Sequence, residues 1–275
     1  MTDISQDSQN PRSDDVIASI DGGDLDRPMS LVVAHPGHEL LAFGWMLVFT
    51  PSVHVVTDGS GRDAVPRIEA TARLLEGGLG EPGALFGRWA DAELYDALFA
   101  GRFEPFLDLR DQLAEAWCFD GVRTVICDAY ERIILMHDVV QLIACAAVDV
   151  ARERGADIEL LELPNHLGPG DQRPGNPRLR AALKLTGKAL KKKIGAARAY
   201  ESDVIQREAE EFIRLRGEEA FGIESLFHAH PRTRRLLEEE PRPAWEDHGE
   251  RLMLEGVYDH VIRLRENVIP LVEAL

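Results

Sequence analysis

The chain has 275 residues, of which 45% are hydrophobic and 29% charged, a globular composition that excludes a fully disordered or fibrous protein. Its 48 acidic and 31 basic residues give a net charge of −17, which disfavours nucleic acid and anionic membrane surfaces as partners. The three cysteines are expected to be reduced thiols of a cytoplasmic protein, because none lies in a C-x-x-C motif. No secretory signal and no membrane-spanning stretch is predicted.

The first ordered half of the chain shows an alternation of short apolar runs and helical patterns. It follows a predicted mobile leader over residues 1–27, which carries seven Asp against two Arg. The predicted strands span residues 29–34, 53–57, 123–127 and 158–163. The predicted helices span residues 40–48, 66–79 and 138–154, with a helical excursion over residues 87–116. This alternation indicates an α/β fold with a Rossmann-like, mostly parallel sheet and helices on both faces.

Beyond residue 164 the pattern becomes more charged and helical. Charged helices are predicted over residues 178–200 and 203–216, and a closing helical segment, broken near Gly256 and Pro270, over residues 249–275. The lysine-rich stretch at 184–193 is interpreted first as a solvated helix face, with capture of an anionic substrate as the alternative. We therefore predict an α/β domain over residues 28–170 and a C-terminal helical extension over residues 171–275 that packs on the same domain.

Polar side chains follow three of the predicted strands where each strand ends. The first strand is followed by His35-Pro36-Gly37-His38-Glu39, the second by Thr57-Asp58-Gly59, and the third by Asp128, with His137 opening the next helix. Because the carboxyl ends of parallel strands meet at one rim of the sheet, His35, His38 and His137 are expected to converge. Neutral imidazoles suit Zn²⁺, and catalytic zinc sites combine three protein ligands with one open position. The spacing predicts a zinc site, although His-x-x-His alone leaves a structural role open.

These landmarks resemble the PIG-L/LmbE-like family of zinc-dependent N-deacetylases. The resemblance covers about residues 29–163, and the tail resembles a subgroup whose opening reads His-Pro-Gly-His-Glu. It implies hydrolysis of an N-acyl (acetyl) amide on an amino sugar or a sugar-bearing small metabolite. It also implies that His35 and His137 are zinc ligands and that His38 stands where the family has a ligand Asp.

The chain departs from the family pattern at the residues that move protons. Gly37 stands where the family has the Asp that acts as general base, and Ile134 and Met136 replace the first His and the Asp of the later family motif. A Gly37→Asp substitution is expected to raise hydrolysis if the missing base alone limits the rate.

Other carboxylates near the predicted rim are candidates for the missing base. Glu39, Asp58 and Asp138 are predicted catalytic residues, and Glu131 and His166 are predicted to contact the substrate. Each also has a structural interpretation, because Asp-Gly favours a turn at Asp58 and an Asp at position 138 favours a helix N-terminus.

Two functions of different classes remain open at this stage. The first is a zinc-dependent amide hydrolase acting on a small molecule, and the second is a metal- or ligand-binding family member that no longer hydrolyses. A nucleotide-binding oxidoreductase is disfavoured because no G-x-G-x-x-G follows the first strand. The sequence leaves homo-oligomerisation open and does not identify the substrate or the pathway.

Overall fold

The computed structural model describes residues 16–19, 25–61, 65–165, 178–230 and 233–275. The strands in these ranges are β1 (Val16–Ser19), β2 (Met29–Val33), β3 (Ser52–Thr57), β4 (Glu81–Trp89), β5 (Thr124–Asp128), β6 (Glu159–Leu163), β7 (Leu179–Leu185) and β8 (Ile223–His228). The helices are α1 (Phe43–Phe49), α2 (Ile68–Glu76), α3 (Asp91–Phe99), α4 (Glu104–Asp120), α5 (Leu135–Glu153), α6 (Gly187–Ala199), α7 (Asp203–Arg216), α8 (Glu218–Phe221), α9 (Arg234–Glu239), α10 (Ala244–Leu254) and α11 (Ile269–Ala274). A 3-10 turn over His38–Ala42 precedes α1, and a π-helical turn over Leu264–Val268 precedes α11. None of these helices has both the length and the hydropathy that a bilayer crossing requires.

All eight described strands belong to one sheet, in the order β1-β7-β8-β6-β5-β2-β3-β4. Strands β2 to β6 pair in parallel, and β1, β7 and β8 add an antiparallel flank. Side chains of β2 alternate between two cores, with Val32 in one and Leu31 and Val33 in the other. Such burial on both faces explains why β2 is a continuous apolar run. The predicted α/β fold with a mostly parallel sheet is confirmed.

The chain order places a switch point between β2 and β5. These two strands are neighbours in the sheet, and from β2 the chain continues to β3 and β4 on one side and to β5 and β6 on the other. In open α/β sheets, ligands bind in the crevice beyond the carboxyl ends of strands at such a point. The segments that follow β2 and β5 carry the three predicted histidine ligands, so the topology brings them to the same crevice.

Three strands differ from the sequence prediction. Residues 81–89 form β4, although Pro82, Gly83 and Gly87 disfavour a strand, and this is tolerated because β4 lies at the edge of the sheet and pairs with β3 in an irregular register. The predicted helix over 178–200 is wrong in its first part, which forms β7, and only Gly187–Ala199 is helical. Strand β8 was not predicted. The segment beyond residue 171 is therefore not purely helical, since β7 and β8 continue the sheet.

The predicted leader also contains an ordered strand. Residues 16–19 form β1, which pairs antiparallel with β7, and Leu25 is buried in the core. Residues 1–15 and 20–24 lie outside the described residues. The prediction of a mobile leader over residues 1–27 is therefore wrong for Val16–Ser19, because the edge of β7 offers backbone groups to which this segment binds.

The lysine-rich stretch is not one solvated face. Lys184 lies in β7 and pairs with Glu219 of α8, at 2.8 Å between Nζ and Oε2. Lys193 is buried and donates from Nζ to Oε1 of Glu224 at 2.8 Å. Glu224 also accepts from the backbone N–H of Gly44 at the start of α1. A charge buried this completely is tolerated because it is paired and hydrogen-bonded, so Lys193 serves the packing of α1, α6 and β8.

The burial of His54 leads us to expect that the stability of the protein depends on pH. Its ring is buried in β3 against Gly83, where a Cβ atom would lie 2.6 Å from ring atoms, and burial lowers its pKa to about 4. In the unfolded chain the ring takes up a proton near pH 6.5, so stability is complete above that pH and falls as the pH drops toward 4. We expect a loss of about 3 kcal/mol in unfolding free energy over this interval. A His54→Gln variant, measured by urea unfolding at pH 7.5 and 4.5, should lose less than the wild type on acidification. Equal losses of unfolding free energy in the wild type and in His54→Gln would contradict the assignment of this pH dependence to His54. The control is His248→Gln, at an exposed histidine.

Candidate metal centre

The first two predicted ligands lie on the tight turn that follows β2. Gly37 adopts φ = 110°, a left-handed conformation that disfavours residues with a Cβ atom. A Cβ at this position would lie 2.4 Å from Cδ1 of Ile205 in α7. Helix α7 therefore packs directly on the turn between His35 and His38 and occupies the space that a side chain at position 37 would need.

The three predicted ligand histidines converge. The ring centroids of His35 and His38 are 5.4 Å apart, those of His35 and His137 are 5.6 Å apart, and those of His38 and His137 are 4.3 Å apart. We call these residues the histidine cluster. His35 and His38 are partly exposed and His137 is buried, so the cluster is accessible to solvent from the side of the first two rings.

His35 has two oxygen acceptors beside its Nδ1 atom. Oγ1 of Thr57, at the end of β3, and Oδ1 of Asp91, at the start of α3, each lie 2.9 Å from this nitrogen. Burial would raise the pKa of Asp91, but the hydrogen bond and charge of His35 outweigh it and hold the pKa at about 2. Asp91 is therefore a carboxylate over the whole physiological pH range.

His38 is oriented by a second buried carboxylate. Its Nδ1 lies 3.2 Å from Oδ1 and 3.3 Å from Oδ2 of Asp128, the last residue of β5. Burial would raise the pKa of Asp128, but His38 and His137 hold it well below its usual range. Asp128 also accepts from the backbone N–H of Ala34 and from Nδ2 of Asn165. An ionised carboxylate with these partners is an acceptor toward His38, which keeps the ring proton on Nδ1.

His137 is held differently. Its Nδ1 lies 3.0 Å from Nδ2 of Asn165, and the same amide nitrogen donates to Oδ1 of Asp128 at 3.2 Å. An amide nitrogen is a donor, so in this arrangement Nδ1 of His137 accepts. This differs from His35 and His38, in which Nδ1 donates.

The donor chemistry of the cluster fits a zinc ion. Zinc-binding imidazoles commonly donate their other ring N–H to a carboxylate, which is the arrangement of His38 with Asp128; His35 bonds through Nδ1 to Thr57 Oγ1 and has the Asp91 carboxylate 2.9 Å from the same nitrogen. In the described part of the chain, no group of three His, Cys, Asp or Glu side chains has the arrangement of a complete metal site. Three imidazoles are therefore available as ligands. His35 and His38 would offer Nε2, whereas in His137 the nitrogen with the lone pair is Nδ1, which accepts from Asn165.

The buried carboxylate of Glu39 is hydrogen-bonded to the backbone of the turn between His35 and His38. Its Oε2 accepts from the backbone N–H of Gly37 at 2.7 Å, and its Oε1 accepts from Thr71 Oγ1 and Tyr200 OH at 2.9 and 2.8 Å. The side chain is fully buried, and this burial raises its pKa. These contacts position the turn, and the predicted catalytic role of Glu39 stays a prediction.

Asp138 ties the loop after β5 to α10. Its Oδ1 accepts from the backbone N–H groups of Glu131 and Arg132, both at 3.0 Å, and its Oδ2 accepts from Trp245 Nε1 at 2.9 Å. Burial raises the pKa of Asp138 to about 7. Both oxygens thus have structural partners, and Asp138 lies next to His137 at the beginning of α5.

The remaining predicted residues lie at the rim or outside the described chain. Asp58 Oδ1 accepts from Ser60 N–H at 2.8 Å and so closes the turn after β3. Glu131 is half-buried and accepts from the backbone N–H of Asn165 at 3.1 Å. His166 lies outside the described residues. The predicted roles of these three residues stay predictions.

Two residues around the cluster escaped the sequence analysis. Asp91 follows β4, which was not predicted, so the residue was not placed at the carboxyl end of a strand. Asn165 follows β6 by two positions, and that strand was predicted. A search for polar residues after every strand would have found Asn165 at the same rim.

Comparisons with known proteins find only distant structural similarity. No protein-family model matches it, and no curated protein sequence shows significant similarity. Among solved structures, the conserved protein TT1542 from Thermus thermophilus is 16% identical over 74% of this chain and 95% of that chain, with a TM-score of 0.47. The 4-carboxy-2-hydroxymuconate hydratase GalB from Pseudomonas putida is 16% identical over 75% and 98%, with a TM-score of 0.44. A triple mutant of a deacetylase of the teicoplanin biosynthetic pathway is 14% identical over 74% and 99%, with a TM-score of 0.47. The named activities of these proteins differ, and none is transferred to this chain.

Proposed function

We propose that this protein is a zinc-dependent hydrolase of the N-deacetylase type. Its substrate would be a small molecule with an N-acyl group, such as an acetylated amino sugar or a sugar-bearing metabolite. The observation that carries the proposal is the convergence of His35, His38 and His137 at the switch point of the sheet, with buried carboxylates beside two of the rings. The motif resemblance supports an amide as the bond that is cleaved and membership of the PIG-L/LmbE-like family.

Five residues of the chain would hold or orient the zinc ion. His35, His38 and His137 would hold the metal, and Asp91 and Asp128 orient two of these rings. A bound zinc ion supplies polarisation of an acyl carbonyl and lowers the pKa of a water molecule toward about 7.

The proton acceptor in this proposal would be one of the carboxylates predicted from the sequence, Glu39, Asp58 and Asp138. Glu131 and His166 are the proposed substrate contacts. A positioned base contributes typically about 10²–10⁴-fold to a rate.

A second candidate function is favoured by the environment of Gly37. Ile205 fills the space beside this residue, where the family has its general base. A protein that binds a metal or small ligand without hydrolysing it would have no need of a base there.

Metal analysis combined with a substrate panel tests the proposal. We expect the purified chain, loaded with zinc and desalted, to retain about one zinc ion. We also expect it to release amine from a member of a panel of N-acetylated amino sugars, detected with an amine-reactive fluorophore. Bound zinc with no amine release across the panel would favour the second candidate. Absence of stoichiometric zinc would contradict the metal centre itself.

A further inference from the structure

We infer that Asp91 is a positioning residue that keeps the imidazole proton of His35 on Nδ1, so that the lone pair of this ring lies on Nε2. This inference deepens the proposed function and rests on it where metal binding is concerned. Its structural part concerns the metal-free chain and stands by itself.

The carboxylate of Asp91 is held in one orientation. The residue is the first of α3 and is buried, with 4% of its surface exposed. Its Oδ2 accepts from the backbone N–H of Gly61 at 2.6 Å, which leaves Oδ1 beside His35 Nδ1 at 2.9 Å. The turn after β3 thus holds the carboxylate through Oδ2, while Oδ1 makes no aligned hydrogen bond and lies beside the His35 ring.

The second neighbour of the same nitrogen is also an acceptor. Thr57 Oγ1 gives its own hydrogen to the carbonyl oxygen of Ala34 at 3.0 Å, and it accepts from Gly59 N–H at 3.3 Å. Its contact with His35 Nδ1 at 2.9 Å therefore requires the ring nitrogen to donate. Thr57 and Asp91 together leave Nδ1 facing acceptors only. The hydrogen bond goes to Thr57 Oγ1, and Asp91 Oδ1, which is not aligned for a hydrogen bond, lies 2.9 Å away as a negative charge that favours a proton on this nitrogen.

An Asp91→Asn substitution reverses this preference with almost no change in shape. Gly61 N–H still needs an acceptor, so the amide oxygen stays on that side and the amide NH₂ group faces His35 Nδ1. Two donors then oppose each other, and the neutral ring relieves the conflict by moving its proton to Nε2. That tautomer cannot offer Nε2 to a metal, and loss of an outer partner of a metal ligand typically costs about 10–100-fold in affinity.

Two measurements on the full chain test the inference. The tautomer of His35 is observed by long-range ¹H–¹⁵N correlation of the imidazole in metal-free protein at pH 8, with the signal assigned by its loss in His35→Gln. Zinc affinity is measured by competition with a chromogenic chelator. The matched control is Asp96→Asn, which removes one exposed carboxylate from the same helix.

The expected result is an Nδ1–H ring in the wild type and in Asp96→Asn, an Nε2–H ring in Asp91→Asn, and a zinc affinity about 10–100-fold weaker in Asp91→Asn alone. A wild-type ring protonated on Nε2 would overturn the inference even if the variant failed to fold. So would an Asp91→Asn affinity within twofold of the control. A wild type that binds no zinc would contradict the proposed function, and the tautomer measurement would then decide this inference alone.

Discussion

Replacement of His38 or His137 by alanine is expected to abolish stoichiometric zinc binding, with an affinity loss greater than about 100-fold. Removal of an outer partner of a ligand already costs about 10–100-fold, and loss of a ligand from a set of three removes a direct bond to the ion. The two residues reach the cluster from different elements, the turn after β2 and the first turn of α5. Equal losses in the two variants would therefore show that the ion is bound between these elements.

The measurement is chelator competition at pH 7.5, with urea unfolding of each variant to establish that the chain is folded. His248→Ala is the control, because this histidine is exposed in α10. If either variant of the cluster bound zinc as the wild type does, the corresponding residue would not be a ligand. If His248→Ala lost zinc to the same extent, binding would not be specific to the cluster.

Gly37→Asp is expected to destabilise the protein by about 2–5 kcal/mol and to leave hydrolysis no faster. A residue with a Cβ atom costs roughly 1–2 kcal/mol in a left-handed conformation, and overpacking typically adds about 1–3 kcal/mol. Both costs apply here, because Gly37 has φ = 110° and its Cβ position lies 2.4 Å from Ile205 Cδ1. This replaces the expectation from the sequence that the substitution restores a base, since the structure leaves no room for the side chain.

Two further variants separate the causes of that loss. Gly121→Asp places the same side chain at φ = 62°, where no atom lies within 4 Å of the Cβ position, and it should show only the conformational cost. Ile205→Ala combined with Gly37→Asp should recover part of the steric cost. Urea unfolding gives the free energies, and a Gly37→Asp protein as stable as the wild type would contradict the packing of α7 on this turn.

Local sequence patterns were sufficient to predict the central strands of the sheet. Strands β2, β3, β5 and β6 are apolar runs bounded by polar turns, and the prediction matched each to within one or two residues at its ends. Strand β4 could not be predicted in this way, because Pro82 and two glycines are tolerated only at a sheet edge. The sequence of β7 does contain a strand pattern. Ala181, Leu183 and Leu185 alternate with polar or less buried residues, as in a strand with one buried face.

The meeting of His35, His38 and His137 at one rim follows from the amino-acid sequence, because the order of strands and helices along the chain dictates which ends of a parallel sheet come together. The groups that surround these rings depend on long-range packing. The acceptors of His35 come from β3 and α3, the carboxylate beside His38 ends β5, and Ile205 of α7 closes the space at Gly37. These contacts join segments far apart in the chain, and their energies depend on distances of a few tenths of an ångström. Local composition and periodicity carry no information on such distances, so the convergence of the three histidines could be predicted and the orientation of their rings could not.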